Sequence, residues 1–316
     1  MPVDTLLEGL KAAAEPTRLR LLALCAASEL TVSELTAIVG QSQPRVSRHL
    51  KVLCRAGLLM RYREQNWVYH RLPQRGGGAE IARGVLALLP GGDPRLVLDR
   101  RRLEELLDGR AAQARALVAA HRPGEETTQV HDEASVDALI LRGLDGEGVG
   151  ELLDIGTGSG RMLRLLGEAA ERAVGIDISR AMLMLARSNL HAAGLDHLMV
   201  RQGNMYQLRF EDCSFDTVTI DQVLFQADEP GDVLGEAARV MRPGGRLLLV
   251  EFLTRRNLGL WERQGEDVTI IDEDRLARWY AAAGLDLAES RQLPGEPYPV
   301  IVHVARRVRG NEEAVA

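Results

Sequence analysis

Between Leu152 and Asp177 the chain reads LLDIGTGSGRMLRLLGEAAERAVGID, the pattern of a strand, a glycine turn, a helix and a second strand that ends in an acid. Gly156, Gly158 and Gly160 let the backbone turn tightly and approach a ligand with no Cβ in the way. Asp154 closes the first strand, and Asp177 closes the second at the distance where an acid can hold a ribose hydroxyl pair. That combination is the chemistry of a nucleoside-cofactor site. The spacing G-x-G-x-G, in place of the G-x-G-x-x-G that presents a helix to a dinucleotide pyrophosphate, favours S-adenosylmethionine over NAD. The other reading of Asp177 is a strand-end cap.

The elements beyond Asp177 must complete the site. SRAMLMLARSNLHAAG reads as an amphipathic helix ending at Gly194, and HLMVRQGNMYQL as a strand running into a polar turn at Gly203, Asn204 and Met205. FDTVTIDQVLFQAD is a further strand, with Asp221 and Gln222 at its end. DVLGEAARVMRPGGRLLLVEF gives a helix, a Pro-Gly-Gly turn and a buried strand; a last helix, EDRLARWYAAAGL, leads to the strand-like runs LDLAESRQL and YPVIVHVARRV. Alternating strands and helices imply an α/β fold on a parallel sheet, with ligands at the carboxyl ends of the strands. The polar residues just named fall at such ends. Asp221 has a second reading, as a cap for the helix that follows.

Over residues 130 to 308 these motifs resemble the class I S-adenosylmethionine-dependent methyltransferases, and in detail their quinone C-methyltransferase-like branch. The resemblance implies a Rossmann-like domain with a mostly parallel seven-stranded sheet. It assigns Asp154 and the turn Gly156, Thr157, Gly158 and Gly160 to the methionine part of S-adenosylmethionine or S-adenosylhomocysteine. Asp177 goes to the ribose, Ile178 and Met205 to the adenine faces, Asn204 to the adenine amino edge, and Asp221 and Gln222 to the methyl or amino-acid end. IDQVLFQ stands where amino-methylating DNA enzymes carry N-P-P-Y, and Cys213 precedes a strand with no proline before it, which argues against cytosine C5 chemistry. No catalytic residue is singled out, since alignment of an acceptor with the sulfonium can suffice.

The N-terminal quarter has the opposite charge. Residues 1 to 75 hold eleven Lys/Arg against six Asp/Glu, a net of +5, so the remainder carries −11 of the total of −6; from Gln41 to Arg75 eight basic residues face the single acid Glu64. A basic end on an acidic chain is the footprint of a phosphate-binding module, a solvated face being the plainer alternative. Helical patterns start at Thr31 and Ser42, with Gly40 ending the first of these two and Pro44 early in the second. In QSQPRVSRHLKVLCRAGLL the stripe Val46, Leu50, Leu53 and Leu58 points inward, leaving Ser42, Gln43, Arg45, Ser47, Arg48, His49, Lys51 and Arg55 on the other face or its edges, the residue types that read bases and bind phosphate. GLLMRYRE and NWVYHRL, joined at Gln65-Asn66, suggest a hairpin in which Leu59, Tyr62, Trp67, Tyr69 and Leu72 alternate with a basic face of Arg61, Arg63 and Arg71. A helix-turn-helix followed by a basic hairpin is a winged helix.

From about residue 5 to 72 these motifs, E-P-T-R-L-R-L-L, S-Q-P-x-V-S-x-H-L and the aromatic wing, are similar to the ArsR/SmtB family of bacterial winged-helix repressors. The resemblance implies a homodimer on a double-stranded DNA operator. The C-V-C triplet of arsenic-sensing members is missing, Thr31-Val32-Ser33 following Glu29-Leu30, so no metal is expected. Cys25 reads as a small buried residue, Cys54 as a helix-face residue and His70 as a wing residue.

Three domains follow: residues 1–75 as the winged helix, 76–129 as a helical connector for dimerisation and lid formation, and 130–310 as the cofactor domain. In the connector EIARGVLALLP and DRRRLEELLDGRAAQARALVAAHR read as helices and GEETTQVHDE as a polar break, with Ala116, Leu117 and Val118 where a lid would cover the cofactor. The three cysteines lack metal spacing, no apolar run reaches about eighteen residues, and MPVDTLLEGL is unlike a signal peptide, so a cytoplasmic protein with no membrane role is expected. In domain order the chain resembles ArsR-type proteins that carry a methyltransferase domain, and that resemblance implies a transcriptional regulator, a repressor, that binds S-adenosylmethionine or S-adenosylhomocysteine and controls methionine-cycle genes. The alternative is an active small-molecule methyltransferase that regulates its own operon.

Overall fold

The computed structural model describes residues 1–64, 67–73, 75–121, 132–144, 146–253, 271–295 and 299–309. The chain forms two units, Met1–Gln113 with His191–His197, and Ala114–Leu190 with Leu198–Ala316.

In the first unit, α1 (Val3–Ala13), α2 (Pro16–Ala27), α3 (Val32–Val39) and α4 (Gln43–Arg55) enclose an apolar core. Local chemistry sets their ends. Glu15 accepts the Arg18 N–H to cap α2, and Thr31 and Glu34 form a capping box at α3. α3 stops at Gly40, whose φ of 69° is the left-handed conformation glycine tolerates. Val46, Leu50, Leu53 and Leu58 are all buried, the inward stripe expected of them.

The wing is β2 (Met60–Glu64) paired antiparallel with β3 (Trp67–Arg71), and β3 also pairs with β1 (Leu30–Thr31), a strand that the sequence reading missed. The turn at Gln65-Asn66 lies outside the described residues. Two side chains depart from the expected alternation. Arg71 is buried, its Nη1 2.7 Å from Glu29 Oε1, and so does not belong to the basic face. The cause is β1, which makes the C-terminal half of β3 a central strand and places Glu29 beside it. Trp67, beyond the reach of β1, is 38% exposed.

Two helices follow, α5 (Gly77–Ala87) and α6 (Pro94–His121). α6 begins in the first unit, where Leu103 and Leu107 enter the core, and its last residues belong to the second. Its polar residues hold both ends of α3. Arg102 donates to the Ile38 carbonyl at 2.8 Å, and Arg110 donates to Glu34 at 2.9 Å. Asp99 accepts both a 2.6 Å and a 2.7 Å bond from Arg20, which also reaches the Val39 carbonyl. No helix among the described residues is long and apolar enough to cross a membrane.

The second unit starts with α7 (Glu133–Arg142), also missed by the sequence reading. The polar break expected before it falls on residues outside the description, apart from its last two. A seven-stranded sheet then takes the order β6-β5-β4-β7-β8-β10-β9. Its strands are β4 (Gly150–Ile155), β5 (Ala170–Asp177), β6 (Met199–Gln202), β7 (Phe215–Asp221), β8 (Met241–Phe252), β9 (Leu285–Leu293) and β10 (Val300–Arg307). The pairs from β6 to β8 are parallel, and β10 is antiparallel to both β8 and β9, the mostly parallel sheet expected. The helices α8 (Arg161–Leu166), α9 (Arg180–Ala192), α10 (Pro230–Val240) and α11 (Glu273–Ala283) make the connections. Pro243-Gly244-Gly245 does not separate helix from strand; it lies within β8, whose pairing with β7 shifts between Phe215 and Thr217. A Cβ on Gly245 would meet the Arg242 and Asp216 carbonyl oxygens at 2.9 and 3.0 Å, so the irregularity needs glycine.

Candidate functional site

The chain reverses direction across the sheet at β4, which has β5 on one side and β7 on the other. Such a switch point opens a crevice beyond the carboxyl ends of the strands. A cavity of about 580 Å³ occupies that place, walled by the glycine turn after β4, the ends of β5 and β7, the turn after β6, and Leu117 of α6. Eight of the expected residues form its wall: Gly156, Gly158, Asp177, Ile178, Asn204, Met205, Asp221 and Gln222.

The other three stand behind the wall. Asp154 is 1% exposed and accepts the Thr219 hydroxyl at 2.7 Å. Thr157 is buried and donates its N–H to the Ile176 carbonyl, and Gly160, at φ 83°, opens α8 against Ala186. They shape the turn and do not line the cavity.

Gly156 and Gly158 both have positive φ but differ in surroundings. A Cβ on Gly156 would come within 2.3 Å of Val223 Cγ2, so that glycine packs against the protein. A Cβ on Gly158 meets nothing nearer than the Gly156 carbonyl oxygen at 3.8 Å and would project into open space. The backbone at Gly158 is thus bare toward the cavity.

Asp177 closes β5 at the cavity. Its Oδ1 accepts the Ser179 N–H at 2.7 Å and its Oδ2 the Gly158 N–H at 2.9 Å, so it ties the strand end to the glycine turn while lining the cavity. A carboxylate offers acceptors only, the chemistry that suits a diol. Asn204 accepts the Tyr206 N–H and holds its own turn, and Ile178 is 71% exposed at the rim. Gln222 sits at φ 56°, strained for a side chain of its type, with its N–H donated to the Val250 carbonyl.

Asp221 is paired with an arginine of α8. Its Oδ2 receives Arg161 Nη1 at 2.7 Å, and Arg161 Nη2 lies 2.5 Å from Asp137 Oδ1 on α7. Neither Arg161 nor Asp137 stood out in the sequence, because an arginine at the start of a helix usually belongs to a solvated face. Beneath the cavity, burial pushes the Asp154 carboxyl up to about 7; the Thr219 hydroxyl opposes the rise, and Asp221 and Asp177 add to it. Glu251, fully buried, is pushed up to about 8 by burial although it accepts the Leu224 and Phe252 N–H groups.

In the first unit, Ser42, Gln43, Arg45, Arg48 and Lys51 are exposed on α4, and Arg61 and Arg63 on β2. Ser47 and His49 are half-buried, with His49 Nδ1 3.5 Å from Glu15. A helix face with two arginines and a lysine beside an arginine-bearing strand suits phosphate and base edges. Cys25 is buried and Cys54 half-buried, as expected; His70 is a buried β3 residue.

Comparison with known proteins matches a family to each of two stretches of the chain. Residues 153–249 match the family described as "Methyltransferase domain", and residues 15–60 match "Bacterial regulatory protein, arsR family". Demethylmenaquinone methyltransferase from Clavibacter sepedonicus is 31% identical over 45% of this chain and 68% of its own length. Ubiquinone/menaquinone biosynthesis C-methyltransferase UbiE from Dinoroseobacter shibae is 40% identical over 42% of this chain and 52% of its own. The chain spans between 34% and 68% of the length of the first curated relatives it matches. Among solved structures, the YcgJ protein of Bacillus subtilis covers 56% of this chain and 100% of its own at a TM-score of 0.50 and 17% identity, a likeness of fold. The chain therefore belongs to the class I S-adenosylmethionine-dependent methyltransferases through its second unit and carries at its N-terminus the helix-turn-helix of the ArsR family.

Proposed function

We propose that this chain is a cytoplasmic, homodimeric transcriptional repressor whose second unit binds S-adenosylmethionine or S-adenosylhomocysteine and reports the occupant to the winged helix, with methionine-cycle genes as its targets. In this reading residues 1–75 bind the operator, 76–129 dimerise and couple, and 130–310 hold the nucleoside. The observation that carries it is α6: one helix supplies Leu103 and Leu107 to the core beneath the helix-turn-helix and Leu117 to the wall of the nucleoside cavity.

The residues present fit the nucleoside. The backbone bared at Gly158 would take its amino-acid end, Asp177 would accept the ribose hydroxyls, Ile178 and Met205 would flank the adenine, and Asn204 would meet its edge. When bound, S-adenosylmethionine supplies a methyl group on a positively charged sulfur. Asp221 and Gln222 would face that end of the cavity. On the other ligand, Arg45, Arg48 and Lys51 would enter a major groove while Arg61 and Arg63 follow the backbone, and a dimer would read half-sites roughly one helical turn apart.

The test is operator affinity with each nucleoside present. S-adenosylhomocysteine should change it at least about fivefold, the lower end of ordinary coupling energies, and Asp177→Ala should remove that change while ligand-free DNA binding stays intact. The named activities of the relatives favour a second reading, an enzyme that methylates a small acceptor and controls its own operon. Equal operator affinity with and without saturating nucleoside, together with turnover of an acceptor, would establish the enzyme and reject the sensor.

A further inference from the structure

Two carboxylates face the nucleoside cavity, Asp177 and Asp221, and a third, Asp154, lies buried beneath it. Among the described residues that line the cavity none is a lysine or an arginine. Arg161 stands one layer back and touches the wall through Asp221 at 2.7 Å. Its second partner is Asp137 at 2.5 Å. The side chains of Arg161, Asp221 and Asp137 are 20%, 12% and 34% exposed, so the first two are largely withdrawn from water and their field is weakly screened. An arginine does not lose its proton, so this group of three has a fixed charge: −1 as built, −2 without Arg161 and 0 without Asp137.

We propose that Arg161, set between Asp137 and Asp221, is the residue that determines how strongly the cavity prefers a cationic sulfonium nucleoside to its neutral thioether counterpart. The inference rests on the nucleoside reading given above. S-adenosylmethionine and S-adenosylhomocysteine share adenine, ribose and the amino-acid end, and differ by one methyl group and the positive charge it brings. Contacts common to both cancel in the ratio of their affinities, which leaves the local electrostatic field and the space for the methyl. A site with Asp177 and Asp221 uncompensated would hold the sulfonium far more tightly than the thioether. Arg161 lowers that advantage by offsetting Asp221, and Asp137 restores part of it by offsetting Arg161. A protein that must register the thioether while the sulfonium form is also present needs its preference held down in this way.

The role differs from that of a strut. As a strut, the ion network ties α7 to the end of β7, and its loss would weaken both ligands by the same factor. As a charge setting, its loss changes the ratio.

Titration calorimetry of the full-length protein with each nucleoside separates the two. At an effective dielectric of about 20, a unit charge roughly 8–15 Å from the ligand sulfur changes the ratio about six- to thirtyfold. Arg161→Met should therefore raise the preference for S-adenosylmethionine over S-adenosylhomocysteine by about that factor, and Asp137→Asn should lower it. Arg161→Lys, which keeps the charge, should stay within about twofold of wild type. If Arg161→Met proves too unstable to titrate, Asp137→Asn decides the matter alone by the opposite sign. Ratios that stay within twofold of wild type in both charge-changing variants, whatever happens to the individual affinities, overturn the proposal. A wild type that binds neither nucleoside overturns the nucleoside reading itself, and this inference falls with it.

Discussion

Gly158 and Gly156 are two residues apart in one turn, and they predict different outcomes when a side chain is added. Both have positive φ, 50° and 70°, which costs a residue with a Cβ roughly 1–2 kcal/mol in the left-handed conformation. At Gly158 nothing else is expected to resist, since the nearest atom to an added Cβ is 3.8 Å away. A second unit of about 200 residues loses about 2–4 °C per kcal/mol, so Gly158→Ala should lower Tm by roughly 2–8 °C. At Gly156 the overlap with Val223, at 2.3 Å, adds a typical overpacking cost of about 1–3 kcal/mol, and Gly156→Ala should melt further below wild type than Gly158→Ala. Binding should rank differently from stability. Gly158→Val fills the space beside the bared backbone and should abolish nucleoside binding; a shift from micromolar to beyond millimolar is at least about 4 kcal/mol. Scanning calorimetry on the alanine pair and titration calorimetry on Gly158→Val measure the two effects. Nucleoside binding by Gly158→Val within threefold of wild type, or equal melting of the two alanine variants, would refute the reasoning.

Further consequences can be checked independently. Replacing Arg45 and Arg48 by Ala should weaken operator binding by about 1–3 kcal/mol for each that pairs with a guanine, and unchanged affinity in a gel-shift titration of the double variant would remove α4 as the reading helix. Arg71→Met should destabilise the first unit by about 3–5 kcal/mol in urea unfolding, because it removes the cation paired with the buried Glu29 carboxylate and leaves that charge uncompensated; a loss of DNA affinity without a loss of stability would return Arg71 to the basic face. Burial raises Asp154 to about 7 and Glu251 to about 8, so the folded chain retains protons that the unfolded chain releases above about 4.5, and the stability they contribute fades as pH rises through the folded values. His303, which burial lowers to about 4, acts in the opposite sense only below about 6.5. The urea midpoint should accordingly fall between pH 6.5 and 8, by on the order of 2 kcal/mol in stability, and a midpoint that rises over that range would contradict the assignment.

What could be read from the sequence was whatever a few adjacent residues determine. The strands β4, β5 and β7 are short apolar runs that end in an acid or directly before a glycine, and those ends sit at the switch point because an alternating strand-helix chain leaves them nowhere else. The stripe of α4 was legible for the same reason, since Val46, Leu50 and Leu53 recur at helical spacing on one face. Arg71 was placed on the wrong side because the residue that draws it inward, Glu29, is 42 positions earlier and lies against a two-residue strand with no periodic signal. Pro243-Gly244-Gly245 reads locally as a turn, and only pairing on both sides of it makes it a strand irregularity.

The cavity shows the same division most sharply. The walls came from local motifs, but its charge depends on Arg161, whose partners are 24 and 60 residues away. Asp137 lies on α7, a helix whose sequence carries no chemical motif, yet it pairs with the arginine that holds Asp221 of the cavity wall. Leu117 of α6 is itself part of that wall. A sequence pattern can therefore locate the cavity wall, because the glycine turn and the strand-end acids have to be close together along the chain. α6, α7 and Arg161 join the cavity through contacts between distant positions, and it is on those residues that operator binding and the nucleoside ratio should be measured to separate a sensor from an enzyme.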